Sequence, residues 1–425
     1  MSTHRDRIMD SVNHVQPDRL PVDFGASTAS GIHCSVMEIL RERLGLEKRL
    51  IKVHEPYQML GYVEADLCEA LDVDTVAVMP VSTFFGNSMD GGDADWKEWV
   101  TPWGQTVLIP QSVVVETLEN GDVVTFPKGV ASARPSGKMP VSGYFFDALE
   151  RQGEYDEDDP DPQDNAEEFA PLSDETVQKM GRAARAARAT GQAVVAVLPG
   201  TGLGSASGIP AMSLENPKGI RSVADWYMAL AALPDFVKKV FALQTEVAIE
   251  NLRRVHAEVG DNYDVVVVCG ADFGTQIGTM VSKETLAELF CPFYKRMNDW
   301  IHEHTRWKTF KHSCGAVEPL IDLFIESGFD ILNPVQCSAT GMEPAYIKKT
   351  YGDRITFWGG GVDTQRTLPF GTPEEVREEV LERCRIFGQG GGFVFNAIHN
   401  VQALTPIDNL TALLDAVREF NQAGH

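Results

Sequence analysis

The feature that most constrains this chain is a regular alternation of short apolar runs with helical patterns over its second half. Asp264-Val-Val-Val-Val-Cys269 is a continuous apolar stretch, the form of a strand buried on both faces, and a helical pattern follows over 283–303. The same rhythm continues through strand 308–311, helix 316–327, strand 330–333, helix 343–350, strand 355–358, helix 373–387, strand 392–396 and helix 407–420. Upstream, strands at 20–24, 74–79 and 193–198 bring the count to eight, with helices at 4–15, 35–45, 57–71 and 174–190 and a helix pair over 221–256. Short apolar strands separated by helices imply parallel strands with helical crossovers. Eight such units favour a TIM (β/α)8 barrel within the α/β class over an open doubly wound sheet.

Two segments interrupt the rhythm. Between about 95 and 127, Trp96, Trp99 and Trp103, then Val113-Val-Val115, Asn120-Gly121 and Val123-Val-Thr-Phe126 indicate antiparallel hairpins, an inserted β-subdomain. About 150–172 is acidic and proline-bearing, the composition of a solvated loop with little to give a core. The 425 residues otherwise read as one domain.

Charge and cysteine usage bound the partners. Sixty-one acidic against 37 basic residues, a formal −24, repel phosphate backbones and anionic membrane surfaces, so no nucleic acid is expected. No run approaches the roughly 18 apolar residues of a membrane helix. Seven cysteines without a paired framework fit reduced thiols, and a cytoplasmic protein is expected.

The chemistry gathers where strands stop. Lys308-Thr-Phe-Lys-His-Ser-Cys-Gly315 reads as a strand ending in two potential metal ligands, His312 and Cys314. Residues i and i+2 of an extended chain point the same way roughly 6.5–7 Å apart, so imidazole and thiolate can share an ion, and this pair suits zinc. A barrel places its active site at the carboxyl ends of the strands. That rule assembles a ring from Asp272 and Gln276, His312 and Cys314, Asn333, Gln336 and Cys337, Asp363 and Gln365, and Asn396 and His399. Asp272 and Asp363 equally suit helix caps or turns. Cys337 suits inert packing, and Gly200-Thr-Gly202-Leu-Gly204 lacks the spacing of a phosphate loop.

The motifs Asp272-Phe-Gly-Thr-Gln276, His312-Ser-Cys-Gly315, Asn333-Pro-Val-Gln336, Gly361-Val-Asp-Thr-Gln365 and Pro406-Ile-Asp-Asn409 resemble those of the uroporphyrinogen decarboxylase superfamily. The resemblance spans about 190–420 and looks closest to the corrinoid-linked methyltransferase branch. It implies a TIM barrel and a methyl transfer between a corrinoid (methylcobalamin), carried on a partner protein, and a small acceptor such as a thiol or tetrahydrofolate. The branch binds zinc through a His-x-Cys pair and a later cysteine. His312 and Cys314 match the pair, but Asn396-Ala-Ile-His399 stands where the cysteine would fall, so the third ligand is His399 or Cys337. Asp272, Gln276, Asn333 and Asp363 are then the catalytic or substrate-positioning candidates, and Gln336, Gln365 and Asn396 the cofactor-binding ones. The rival reading within the superfamily is metal-free decarboxylation of a carboxylated substrate. True decarboxylases use an arginine-rich N-terminal segment for their polyanion, where this chain offers Arg19 before Leu-Pro-Val-Asp23. A non-catalytic scaffold is a third reading, and barrels of this size often dimerise, which leaves a homodimer open.

Overall fold

The structure, a computed structural model, describes residues 2–89 and 95–424. Its centre is a curled seven-stranded sheet of β1 (Thr75–Val78), β2 (Ala193–Val197), β3 (Val265–Cys269), β4 (Lys308–His312), β5 (Ile331–Asn333), β6 (Thr356–Trp358) and β7 (Phe393–Val394). Every neighbouring pair is parallel and the spatial order follows the chain order. Residues 21–23 bond to both edges of this sheet. The Asp23 N–H donates to Phe395 O at 2.9 Å, Phe395 N–H to Pro21 O at 2.8 Å, and Asp74 N–H to Val22 O at 2.8 Å. The expected first strand is thus a single bridge, Val22 to Phe395, beside β7. Pro21 has no N–H to extend a ladder there.

Strand alternation sorts the side chains into two layers. Val195, Val265, Phe310, Ile331, Trp358 and Val394 pack together inside the curl of the sheet. Ile8 and Val12 of the N-terminal helix His4–Val12 join that inner cluster. The outward-facing Val194, Val266, Leu332, Phe357 and Phe393 belong instead to the larger cluster shared with the surrounding helices. Among the described residues, no helix is long and apolar enough to cross a membrane.

Several boundaries differ from the sequence reading. The helix expected over 57–71 is only Ala65–Leu71, because the Glu55 carboxylate accepts the Tyr57 and Gln58 N–H groups and holds a turn ahead of the short strand Leu60–Gly61. Ile51–Glu55 is a strand the periodicity did not indicate. The 283–303 pattern is two helices, Lys283–Leu289 and Cys291–His304, the second beginning at a proline-bearing first turn. The expected hairpins form, Trp96–Val100 with Thr106–Pro110 and Val115–Thr117 with Val123–Thr125. They are not self-contained: Thr106–Pro110 also pairs in parallel with Ile51–Glu55, and the second sheet continues through Gly137–Met139 and Asp147–Ala148. The acidic segment is more than a solvated loop. Asn165 is buried and exchanges two hydrogen bonds with the Ile220 backbone, and Glu168 pairs with the fully buried Arg221 guanidinium at 3.0 Å.

Candidate metal centre

His312 is the last residue of β4 and lies in register with Asn333, the last of β5. Cys314 follows two residues on, just before Gly315 turns the chain at φ +90°. A Cβ on Gly315 would meet the Gly274 carbonyl carbon at 2.3 Å, so only glycine lets the loops after β3 and β4 touch. Across the rim, the loop after β7 carries His399, whose ring centroid is 5.3 Å from that of His312. One donor atom each from His312, Cys314 and His399 lie within 4.8 Å of one another.

The supporting bonds orient these donors. Asn333 donates through Nδ2 to Trp358 O at 2.7 Å, which turns its Oδ1 toward His312. His312 Nδ1 meets that oxygen at 2.6 Å, so the ring hydrogen sits on Nδ1 and the Nε2 lone pair is left for a ligand. Cys314 Sγ is 3.4 Å from His312 Nε2. Ligands at about 2.0–2.3 Å around a tetrahedral zinc stand roughly 3.3–3.8 Å apart, so the pair already has the separation of two zinc ligands. Asp272 Oδ1 accepts the Cys314 N–H at 2.8 Å and is 3.5 Å from His312 Nε2. Gln336 Oε1 takes the Gly315 N–H at 2.7 Å and Ser313 Oγ the Phe273 N–H at 2.9 Å, clamping both loops.

Protonation states follow from burial and neighbours. Burial, reinforced by the nearby Asp272, drives the Cys314 thiol well above its usual value, so it is protonated until a cation displaces the proton. Burial and then His312 push His399 down to about 4, leaving a neutral imidazole near pH 7. Burial opposes ionisation of Asp272, but His312, the Cys314 N–H, Lys311 and His399 outweigh it and lower its pKa. Two imidazoles, a thiol and an adjacent carboxylate form a donor set suited to zinc, and three protein donors leave a fourth position for another ligand.

The remaining candidates are spread more widely. Cys337 is not brought to this group: its thiol donates to Val335 O at 3.3 Å and lies 3.8 Å from Gly360 O, and burial raises it to about 12. Asp363 Oδ1 caps the turn after β6 by accepting the Gln365 and Arg366 N–H groups. Asn396 donates to Asp23 O at 2.7 Å and so braces segment 21–23. Gln276 and Gln365 bond to each other through their side-chain amides, on the exposed rim. One neighbour escaped the sequence reading altogether. Lys311 is fully buried behind the site, with Nζ donating to Ala271 O and His312 O at 2.6 Å each and lying 4.9 Å from the Phe273 ring centre. Strand alternation was the available signal, since it turns the residue between Phe310 and His312 toward the helices.

The family pattern described as Uroporphyrinogen decarboxylase (URO-D) matches residues 157–420. The chain belongs to that family. Its curated relatives include the uroporphyrinogen decarboxylases of Psychromonas ingrahamii, 30% identical over 112 residues, and of Coxiella burnetii, 29% identical over 114 residues. Each match takes in 25% of this chain and spans only about a third of the relative, 31% and 30% respectively. In fold, the chain is similar to a methyltransferase from Methanosarcina mazei, with a TM-score of 0.55, 15% identity and 99% of both chains covered.

Proposed function

We propose that this protein is a TIM-barrel methyltransferase, with residues 21–23 as the first barrel strand, that moves a methyl group between a corrinoid on a partner protein and a small acceptor. The carrying observation is the convergence of His312, Cys314 and His399 at the carboxyl ends of the strands. These three would hold zinc, which when bound would lower the pKa of a thiol acceptor. Asp272 holds the Cys314 backbone and Asn333 fixes the His312 tautomer, so both position ligands. Gln276 and Gln365, bonded to each other on the exposed rim, are the groups that would meet a folate acceptor in place of a thiol.

Ile277 and Leu404, on the loops after β3 and β7, and Phe370, which ends the short helix Thr367–Phe370 after β6, are 84%, 71% and 85% exposed and would offer the corrinoid protein apolar contacts. The methyltransferase activity of the M. mazei neighbour agrees with this reading. Polyanion decarboxylation is less well served. Arg19 is engaged with Asp72 at 3.0 Å and Asp74 at 2.9 Å beside the amino end of β1, away from the metal centre.

Elemental analysis of protein purified without chelators tests the proposal. Wild type should carry near-stoichiometric zinc, and His312→Ala, Cys314→Ala and His399→Ala should lose it, while Cys337→Ala keeps it. Methyl transfer from methylcobalamin to a thiol, followed by product formation, should vanish in the same three variants. Metal-free wild type would sink the zinc mechanism.

A further inference from the structure

A cavity of about 310 Å³ opens at the carboxyl ends of β1 and β2, the same end of the sheet as the metal cluster. Its walls are largely apolar, with Val78, Met79, Phe84, Met180 and Pro199. Into this setting the strand Ile51–Glu55 delivers two adjacent polar side chains, His54 and Glu55, both lining the cavity. Neighbouring residues of a regular strand point to opposite faces. Here the register slips between Val53 and Glu55, and such a bulge re-aims a side chain.

His54 is 6% exposed and, among the described residues, its Nδ1 has no hydrogen-bond partner. Glu55 is 3% exposed; each carboxylate oxygen accepts one backbone N–H, from Tyr57 at 2.9 Å and Gln58 at 2.7 Å. A buried carboxylate is costly without a cation, yet among the described residues no lysine or arginine lines this cavity. Its other carboxylate, Glu168, is paired with Arg221. The basic side chains Lys52, Lys179 and Arg182 line an adjoining cavity that shares His54, Met79, Pro80, Val81 and Met180 with this one but not Glu55.

We propose that the inner cavity binds a small organic ammonium ion carrying at least one N–H, with Glu55 as counter-ion, His54 as a second acceptor and the methionine and phenylalanine walls around its apolar body. Phe84, which lines the cavity, adds an aromatic ring that favours a cation. The titratable groups around Glu55 are His54, pushed down to about 4 by burial, Tyr57, raised by burial, and the paired Glu168. Glu55 itself is raised to about 7 by burial, against the pull of its backbone N–H bonds.

Calorimetric titration with isopentylamine, and with isopentyl alcohol as its uncharged counterpart, tests the assignment on the full chain. At mildly alkaline pH the amine is charged and should bind at least about tenfold tighter than the alcohol, or ~1.4 kcal/mol. That advantage should fade as the pH drops through about 7, where Glu55 takes up a proton, while alcohol binding stays level. Glu55→Gln should erase the advantage and leave alcohol affinity unchanged; Val81→Phe, which fills the cavity, should abolish both. Equal binding of the two probes, absence of binding, or an amine preference that survives Glu55→Gln overturns the proposal. If Glu55→Gln does not fold, the wild-type pH titration and Val81→Phe decide it. Zinc content read on the same samples reports the metal centre separately, so failure of one assignment is not mistaken for failure of the other.

Discussion

The two ends of the parallel sheet use similar side chains to opposite effect. At the amino end, three strands are preceded by an aspartate, Asp74, Asp264 and Asp330. Each carboxylate accepts a backbone N–H from the adjacent stretch of chain, of Val22 in segment 21–23, Val194 in β2 and Thr309 in β4 respectively. Each is also answered by basic groups: Arg7 and Arg19 on Asp74, Arg5 and Arg188 on Asp264, His302 and Lys308 on Asp330. At the carboxyl end, His312, Cys314 and His399 converge, with Asp272 Oδ1 3.5 Å from His312 Nε2, and among the described residues no lysine or arginine forms an ion pair with Asp272. Satisfied charges hold strands together, whereas unsatisfied convergent donors wait for a ligand. The same division makes the bottom of such a sheet a place of stability and the top a place of chemistry.

The sharpest way to break this contrast is to remove a donor at the upper end. Structural zinc sites are worth roughly 10–16 kcal/mol, so losing one of three protein ligands through Cys314→Ala should weaken zinc by about a thousandfold in a competition titration, with little change in apo-protein melting. At the lower end the signature should invert. Asp74→Ala leaves Arg7 and Arg19 without their shared carboxylate and should cost about 3 kcal/mol in urea denaturation, while the surviving folded protein keeps its zinc. Asn333→Ala removes the oxygen that fixes the His312 tautomer and should lower zinc affinity about 10–100-fold; an unchanged affinity would show that His312 orients itself.

The smallest effect concerns acid. Burial raises the Asp330 carboxyl, but His302, the Thr309 N–H and Lys308 prevail and lower its pKa in the folded protein. A lowered folded pKa gives stability that is present above the unfolded value of about 3.9 and lost as pH falls through the folded one. Asp330→Asn should therefore cost about 1–2 kcal/mol at neutral pH, and its melting curve should approach that of wild type as the pH falls from the unfolded value of about 3.9 through the lower folded one. A constant gap across that range would assign the loss to packing.

Much of the architecture was legible because it rests on local pattern. Valine-rich runs such as Val265–Cys269 are strands whatever surrounds them, and helices Asp174–Arg188 and Pro373–Phe387 fall close to where their periodicity put them. The misread stretches are those where a distant partner prevailed. Ile51–Glu55 is a strand because Thr106–Pro110 lies beside it, and the acidic segment is anchored because Arg221 reaches Glu168 from more than fifty residues away.

The site divides in the same way. His312 and Cys314 could be paired from sequence alone, since an i, i+2 spacing on a strand is a local geometric fact. His399 and Cys337 could not be told apart, because each lies at the end of its own strand and only the curl of the sheet decides which faces inward. The tertiary structure brings His399 to within 4.8 Å and turns the Cys337 thiol to Val335 O and Gly360 O. Likewise no pattern in Lys52-Val-His-Glu55 announces a cavity; segments 78–84 and 197–200, distant in sequence, supply most of its walls. Periodicity along the chain determined which segments are strands and which residues end them, while register and closure of the sheet, set by hydrogen bonds between distant segments, decided which of those ends meet.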